Sequence, residues 1–289
     1  MEKPKITQEI IELYDEYTHA PLQRRDFFAR LGKLAGGSAV AIALMPLLQN
    51  NYAQAAIVDP NDQDIETQTL KFELNGKEIS YYQAKPKGEG KFGAVLVIHE
   101  NRGLNPHIKD IVRRLAKEGF LAYAPDALSL DGGTPEDEDK AREMIKALNP
   151  KDVIDIYTTS VANIKKQSSC NGKVGAVGFC WGGGYANKLA ATPNVLDASV
   201  AYYGMQLSAE QSANINIPIM LHYAGLDKRI NAGIVEFVKA LSENDKNFTM
   251  HTYAGVNHAF NNDTNAARYN KEAALLSWSR TVEFLKQNL

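Results

Sequence analysis

Val174-Gly175-Ala176-Val177-Gly178-Phe179-Cys180-Trp181-Gly182-Gly183-Gly184 reads as a buried apolar strand running into a Gly-x-Cys-x-Gly turn, with small residues behind it that open a helix. A side chain on such a strand-to-helix turn stands clear at the carboxyl edge of an α/β sheet. Glycine two residues before and two after it is a steric requirement, because a side chain there would strike the packed strand and helix. The exposed position holds cysteine. Most free cysteines are small buried hydrophobes, so the turn alone does not assign a role to Cys180. Its partners decide.

Outward from the turn, the chain alternates strand and helix. Ala94 to His99 is a continuous apolar run suited to a strand buried on both faces. Ile108, Ile111, Val112 and Leu115 form a helical stripe within 108–118. Strands are expected at 120–124, 173–177, 198–203, 219–223 and 248–253, and helices at 152–166, 230–241 and 270–289. Before them, 69–74 and 79–84 flank Asn75-Gly76, a strong hairpin signal. A hairpin followed by repeated strand–helix units predicts one three-layer, mostly parallel sheet. The acidic, glycine-containing stretch Ser129–Asp139 reads as a solvated loop over the sheet's carboxyl edge, where the sites of such folds lie.

Composition sets the outer limits. The chain has 289 residues, 44% hydrophobic and 23% charged, with a formal net charge of -2. That balance gives no electrostatic reason for binding nucleic acid. Two cysteines, Cys170 and Cys180, make neither a disulfide framework nor a zinc-type cysteine cluster. No histidine pair has metal-ligand spacing and no phosphate-type glycine loop is present.

The N-terminus is read separately. Gln23-Arg24-Arg25-Asp26-Phe27-Phe28 carries an arginine pair with aromatics behind it, a weakly apolar run follows over 36–48, and Ala53-Gln54-Ala55 is a small-x-small cleavage signature. That order is the order of an export signal of the twin-arginine type, which assigns 1–55 to the signal, 56–68 to a linker and 69–289 to the working domain. The mature protein is then expected in the periplasm, without a stable membrane span, since the apolar run is shorter than about 20 residues. Otherwise the protein is cytoplasmic and the segment is an amphipathic helix of the fold.

A thiol on this turn needs a base, and the base needs an orienting carboxylate. Asp227 follows the strand at 219–223, and His258 follows the last strand, so both fall in loops at strand ends in the order nucleophile, acid, histidine. The loop after the first long strand, His99-Glu100-Asn101-Arg102-Gly103, is placed to supply a backbone donor for an oxyanion, from Asn101, with the second from Trp181. Glu100 stands beside this hole, where a carboxylate opposes ionisation of a nearby thiol.

His99-Glu100-x-x-Gly103, Tyr123-Ala124-Pro125-Asp126, the Cys180 turn, Tyr202-Tyr203-Gly204 and Gly255-x-x-His258-x-Phe260 resemble the dienelactone hydrolase family, whose best-known member is carboxymethylenebutenolidase. The resemblance runs from about Thr69 to Leu289. It implies an α/β-hydrolase fold, a Cys180–His258–Asp227 triad with Glu100 as an auxiliary carboxylate that swings toward and away from the thiol, and cofactor-free hydrolysis of a small lactone or ester. Family members that act on dienelactone hold the substrate carboxylate with an arginine shortly after the His-x-Phe motif, where this chain has Asn262. Arg142 matches a second clamp arginine, and Arg102 is a candidate replacement cation. The competing reading is a redox or non-catalytic thiol protein using Cys170 and Cys180 as a couple.

Overall fold

The computed structural model describes residues 6–54 and 56–289. Ala55, the last residue of the cleavage signature, lies outside the described residues, as do residues 1–5. The chain runs α1 (Gln8–His19), α2 (Arg24–Ala35), α3 (Ser38–Leu48), β1 (Ile65–Leu74), β2 (Lys77–Pro86), β3 (Phe92–Ile98), α4 (Pro106–Lys117), β4 (Leu121–Pro125), α5 (Glu138–Ala147) and α6 (Pro150–Lys165). It continues β5 (Cys170–Phe179), α7 (Trp181–Ala190), β6 (Ala198–Tyr202), the short α8 (Ala209–Ser212), β7 (Ile219–Ala224), the short α9 (Lys228–Asn231), α10 (Ile234–Glu243), β8 (Phe248–Tyr253) and α11 (Lys271–Asn288).

The strands make one eight-stranded sheet in the order β1-β2-β4-β3-β5-β6-β7-β8. β1 and β2 are an antiparallel hairpin turned at Asn75 and Gly76, both with positive φ, and β2 pairs antiparallel with β4; every other pairing is parallel. β1 begins at Ile65, inside the stretch read as linker, and Pro86 ends β2 where its missing N–H can no longer serve the ladder.

Alternation along β3 shows why three layers form. Ala94, Leu96 and Ile98 face a core shared with α6, α7 and α10, whereas Val95 and Val97 face a core shared with α4 and α11. Pro106 at the start of α4 and the Asn105 side chain capping Ile108 N–H fix where that helix begins. Its stripe of Ile108, Ile111, Val112 and Leu115 is fully buried, worth about 1.5–3 kcal/mol per side chain. The expected loop at Ser129–Asp139 is shorter than its composition suggests. A 3-10 turn covers Ala127–Asp131, and Asp137 caps α5, whose Ala141 and Ile145 pack on Leu128. Glu138 and Asp139, acidic like the loop before them, already belong to the first turn of α5.

Residues 8–48, assigned above to a signal, form three helices with a core of their own. Ile10, Leu13, Tyr14, Tyr17, Phe27 and Leu31 interlock there, with Phe27 stacked on Tyr17. Gly36, at φ 79°, ends α2 and lets the chain bend by 106° into α3. Among the described residues no single helix is long and apolar enough to cross a membrane; only the bent α2–α3 pair meets that test together. Asn265 donates to the Leu48 carbonyl at 2.6 Å and Asn51 N–H to the Thr264 carbonyl at 2.7 Å, tying the segment to the loops at the sheet's carboxyl edge.

Candidate active site

The turn after β5 is as tight as its sequence demands. Cys180 has φ 55° and ψ −115°, a conformation that side chains avoid unless the surroundings impose it. Its N–H donates to the Tyr202 carbonyl, and its carbonyl accepts from Gly184 N–H. A Cβ on Gly178 would lie 2.1 Å from the Gly182 carbonyl oxygen, and one on Gly182 would lie 2.3 Å from that of Ile98. The glycines let β5, α7 and β3 close around the cysteine, which points its thiol at the loops beyond the sheet.

β7 and β8 deliver the other two expected residues. Asp227 caps α9 through Oδ1, which accepts from Ile230 N–H, and its Oδ2 meets His258 Nδ1 at 2.5 Å. Both are buried. Held at Nδ1, the imidazole turns Nε2 toward the thiol's side of the pocket, and that atom has no hydrogen-bond partner among the described residues. Burial alone pushes His258 down, but the facing charges of Asp227, Cys180 and Asp15 outweigh it and bring its pKa to about 10.

A residue that the sequence reading did not consider sits closer. His19, the last residue of α1, places Nε2 3.2 Å from Cys180 Sγ. Its Nδ1 faces the Asp15 carbonyl at 2.9 Å and Asp15 Oδ1 at 3.1 Å, one helical turn back. A cationic imidazole there also faces the negative end of the α1 dipole. Asp15 in turn is held well below the usual carboxylate range: burial opposes ionisation, yet His19, His258 and Arg268 outweigh it. The thiol therefore lies between two imidazoles, each backed by a carboxylate. Burial pushes its pKa up, and the two histidine charges bring it down to about 5. Asp15 and His19 stand at i and i+4, a spacing that signals a helical pair, but assigning 1–55 to a signal removed both from consideration.

The remaining candidates divide. Asn101 and Trp181 line, with Cys180, a cavity of about 800 Å³ whose other wall includes Thr18, His19 and Arg142. Trp181 also stacks on His99, itself anchored by Glu100 O and Ala127 N. Arg142 reaches the cavity, but Asp139 and the face of Tyr17 hold its guanidinium. Arg102 does not reach it. It is buried with Glu138 at 2.9 Å and the Tyr14 hydroxyl at 3.2 Å, so the geometry corrects its reading as a substrate cation. Asn262 is turned inward too, donating to Glu100 Oε2 at 2.8 Å and accepting from Thr264. Here the Glu100 carboxylate is bound to Asn262.

The redox pairing is excluded by topology. Cys170 and Cys180 stand at opposite ends of β5, about 30 Å apart at 3.3 Å per strand residue, whereas a disulfide needs Cα atoms within about 7 Å.

Comparison with known proteins fits this geometry. The model for "Dienelactone hydrolase family" matches residues 79–289, and a second, "YqhI-like", matches 1–36. Protein usf of Aquifex pyrophilus is 34% identical over 232 residues, spanning 77% of this chain and 99% of its own. A protein of Aquifex aeolicus provisionally named carboxymethylenebutenolidase is 35% identical over the same shares. A Klebsiella pneumoniae structure provisionally assigned as a dienelactone hydrolase superposes with a TM-score of 0.71 at 26% identity, covering 77% of this chain and 99% of that one.

Proposed function

We propose, from the premise that this chain belongs to the dienelactone hydrolase family and is a lactone or ester hydrolase, that Cys180 is its nucleophile and acts through a thioester. The observation that carries the reading is the convergence of the strained Cys180 turn, on the cavity wall, with the buried His258–Asp227 pair.

The thiolate attacks the acyl carbon, and the carbonyl π electrons move onto oxygen. The backbone N–H groups of Asn101 and Trp181 are the candidate donors to that oxyanion, an effect worth about 3 kcal/mol per donor. Collapse expels the alkoxide, which takes a proton from His258 Nε2 and leaves an S-acyl enzyme and a neutral imidazole. His258 then removes a proton from water, the hydroxide attacks the thioester, and carboxylic acid leaves as the thiolate is restored. Asp227 keeps the proton on Nδ1 so that Nε2 alone exchanges. His19 acts at the start of the cycle, where its charge favours the thiolate over the thiol.

Substrate charge follows from the cavity wall. Asn262 and Arg102 point elsewhere, and among the described residues the arginines that line the cavity, Arg24, Arg142 and Arg229, each face a carboxylate, of Asp139, Asp139 and Asp15. We therefore favour uncharged lactones and short esters over the anionic dienelactone. Export by the twin-arginine route is retained as a proposal: the side chains of Arg24 and Arg25 at the start of α2 are mostly exposed.

The test is a panel of paired neutral and carboxylate-bearing lactones with wild type and Cys180→Ala. The reading requires a covalent acyl adduct on Cys180 by mass spectrometry, no turnover in the variant and kcat/KM no higher for the anionic partner. Full activity in Cys180→Ala overturns it.

A further inference from the structure

His19, Cys180 and His258 each present one ligand atom, and all three atoms lie within 4.8 Å of one another. We propose that these side chains form a binding site for a zinc-class divalent transition metal, assembled between the N-terminal helix and the hydrolase loops.

Four features of the site support this. Two imidazoles and a thiolate are a donor set that suits zinc or cobalt and disfavours magnesium or calcium. Each imidazole is already oriented as metal-bound histidines are, with Nδ1 facing a carboxylate: Asp15 behind His19 and Asp227 behind His258. That arrangement leaves both Nε2 atoms near the same sulfur, free to bind a metal once their protons leave. The third feature is an unmet valence, since His258 is 3% exposed and its Nε2 has no hydrogen-bond partner among the described residues. Finally, the cavity reaching Cys180 leaves room for water as a fourth ligand.

The fit requires little movement. Tetrahedral zinc with bonds of about 2.3 Å to sulfur and 2.0–2.1 Å to nitrogen separates those ligands by about 3.6 Å, so the 3.2 Å between Sγ and His19 Nε2 opens by a few tenths of an ångström. Protons on the thiol and imidazoles leave to solvent as the metal enters, so binding tightens as pH rises. Coordination draws charge from the sulfur and occupies His258 Nε2, the atom that exchanges protons in acyl transfer, so the loaded protein is a much slower hydrolase. That consequence rests on the thiol mechanism proposed above; the binding itself does not.

The experiment uses the full chain, reduced and stripped with chelator, titrated with Zn²⁺ by calorimetry and with Co²⁺ by absorption. One ion per chain is expected, with a thiolate-to-cobalt charge-transfer band and Zn²⁺ protection of Cys180 from iodoacetamide that EDTA reverses. Asp15→Asn should weaken Zn²⁺ about 10–100-fold through loss of the carboxylate behind His19, and His19→Ala more, each checked by thermal melting. No saturable binding, an unchanged affinity in a folded His19→Ala protein, or alkylation indifferent to Zn²⁺ overturns the site. Ester turnover by the metal-free protein separates the two ideas: stoichiometric Zn²⁺ binding without any turnover upholds the site and removes the hydrolase mechanism.

Discussion

His19 Nε2 lies 3.2 Å from Cys180 Sγ, so a group that meets the sulfur comes from a helix 161 residues upstream of it. Whatever charge His19 carries is felt at the sulfur with little water between them, because both residues are enclosed.

The first prediction concerns ionisation. A positive neighbour stabilises the thiolate, so the thiolate is the form present above a pKa of about 5, well below the ordinary cysteine value. The iodoacetamide rate at Cys180 in metal-free protein should rise with a midpoint near pH 5. In His19→Ala the midpoint moves upward, and ester hydrolysis falls at pH 6 while recovering toward pH 9. A profile unchanged by the substitution would show that His19 does not set the thiol's charge.

The second prediction separates the two histidines. In the proposed mechanism His258 is the proton donor to the leaving group and the base for water, roles worth about 10²–10⁴-fold. His258→Ala should therefore lower kcat at every pH, unlike His19→Ala, and acylated enzyme should accumulate because hydrolysis of the thioester stalls. Asp227→Asn should reproduce much of this loss by releasing the Nδ1 proton preference. Single-turnover assays with mass detection of the adduct distinguish the steps.

These residues also show what sequence could disclose. The Cys180 turn, Asp227 and His258 were legible because strand ends are marked locally, by apolar runs stopping at glycine and polar residues. The hairpin was legible for the same reason at Asn75-Gly76. Arg102 and Asn262 misled because a side chain's direction after a strand depends on partners far away: Tyr14 and Glu138 draw one inward, Glu100 the other. His19 was hidden for a different reason. Positive charge, apolar length and small residues describe an export signal, and the same features describe an amphipathic helix that closes over a site; only the packing of Tyr14, Tyr17 and Phe27 reveals that second use.

Packing around the turn gives a third prediction. In Gly182→Ala the new Cβ would sit 2.3 Å from the Ile98 carbonyl oxygen, a backbone atom that cannot swing aside. Overpacking of this kind costs about 1–3 kcal/mol. In a protein of this size each kcal/mol lowers Tm by about 2–4 °C. Calorimetry should show a clear decrease, with kcat falling as α7 and Trp181 are displaced. An unchanged Tm would mean that the turn is more open than these distances require.

Asn262 is expected to serve Glu100, not substrate. Asn262→Leu removes the donor at 2.8 Å and leaves a buried carboxylate oxygen short of a partner, costing about 1–3 kcal/mol. Tm should decrease while KM for neutral esters stays near wild type. If KM rises several-fold and Tm does not move, Asn262 touches substrate after all.

The last prediction concerns the N-terminal helices as a unit. Their attachment to the rest of the chain is more than the covalent link near residue 55: Tyr14 meets Arg102, Thr18 O accepts from Asn101, Asn265 donates to Leu48 O and Gln8 meets Asn257. The apolar core of these helices holds them to one another, with Ala267 packed on it from the rest of the chain, so they separate or stay as a unit. A protease site placed between Ala55 and Ala56 in the full chain should therefore yield two fragments that still elute together on size exclusion, with the low thiol pKa retained. Raising urea should release the N-terminal fragment before the sheet unfolds and move the Cys180 alkylation midpoint upward in the same step. Fragments that separate at once in buffer would show that residues 8–48 are a removable leader, and the intact mass of protein recovered from the periplasm should then begin at Ala56.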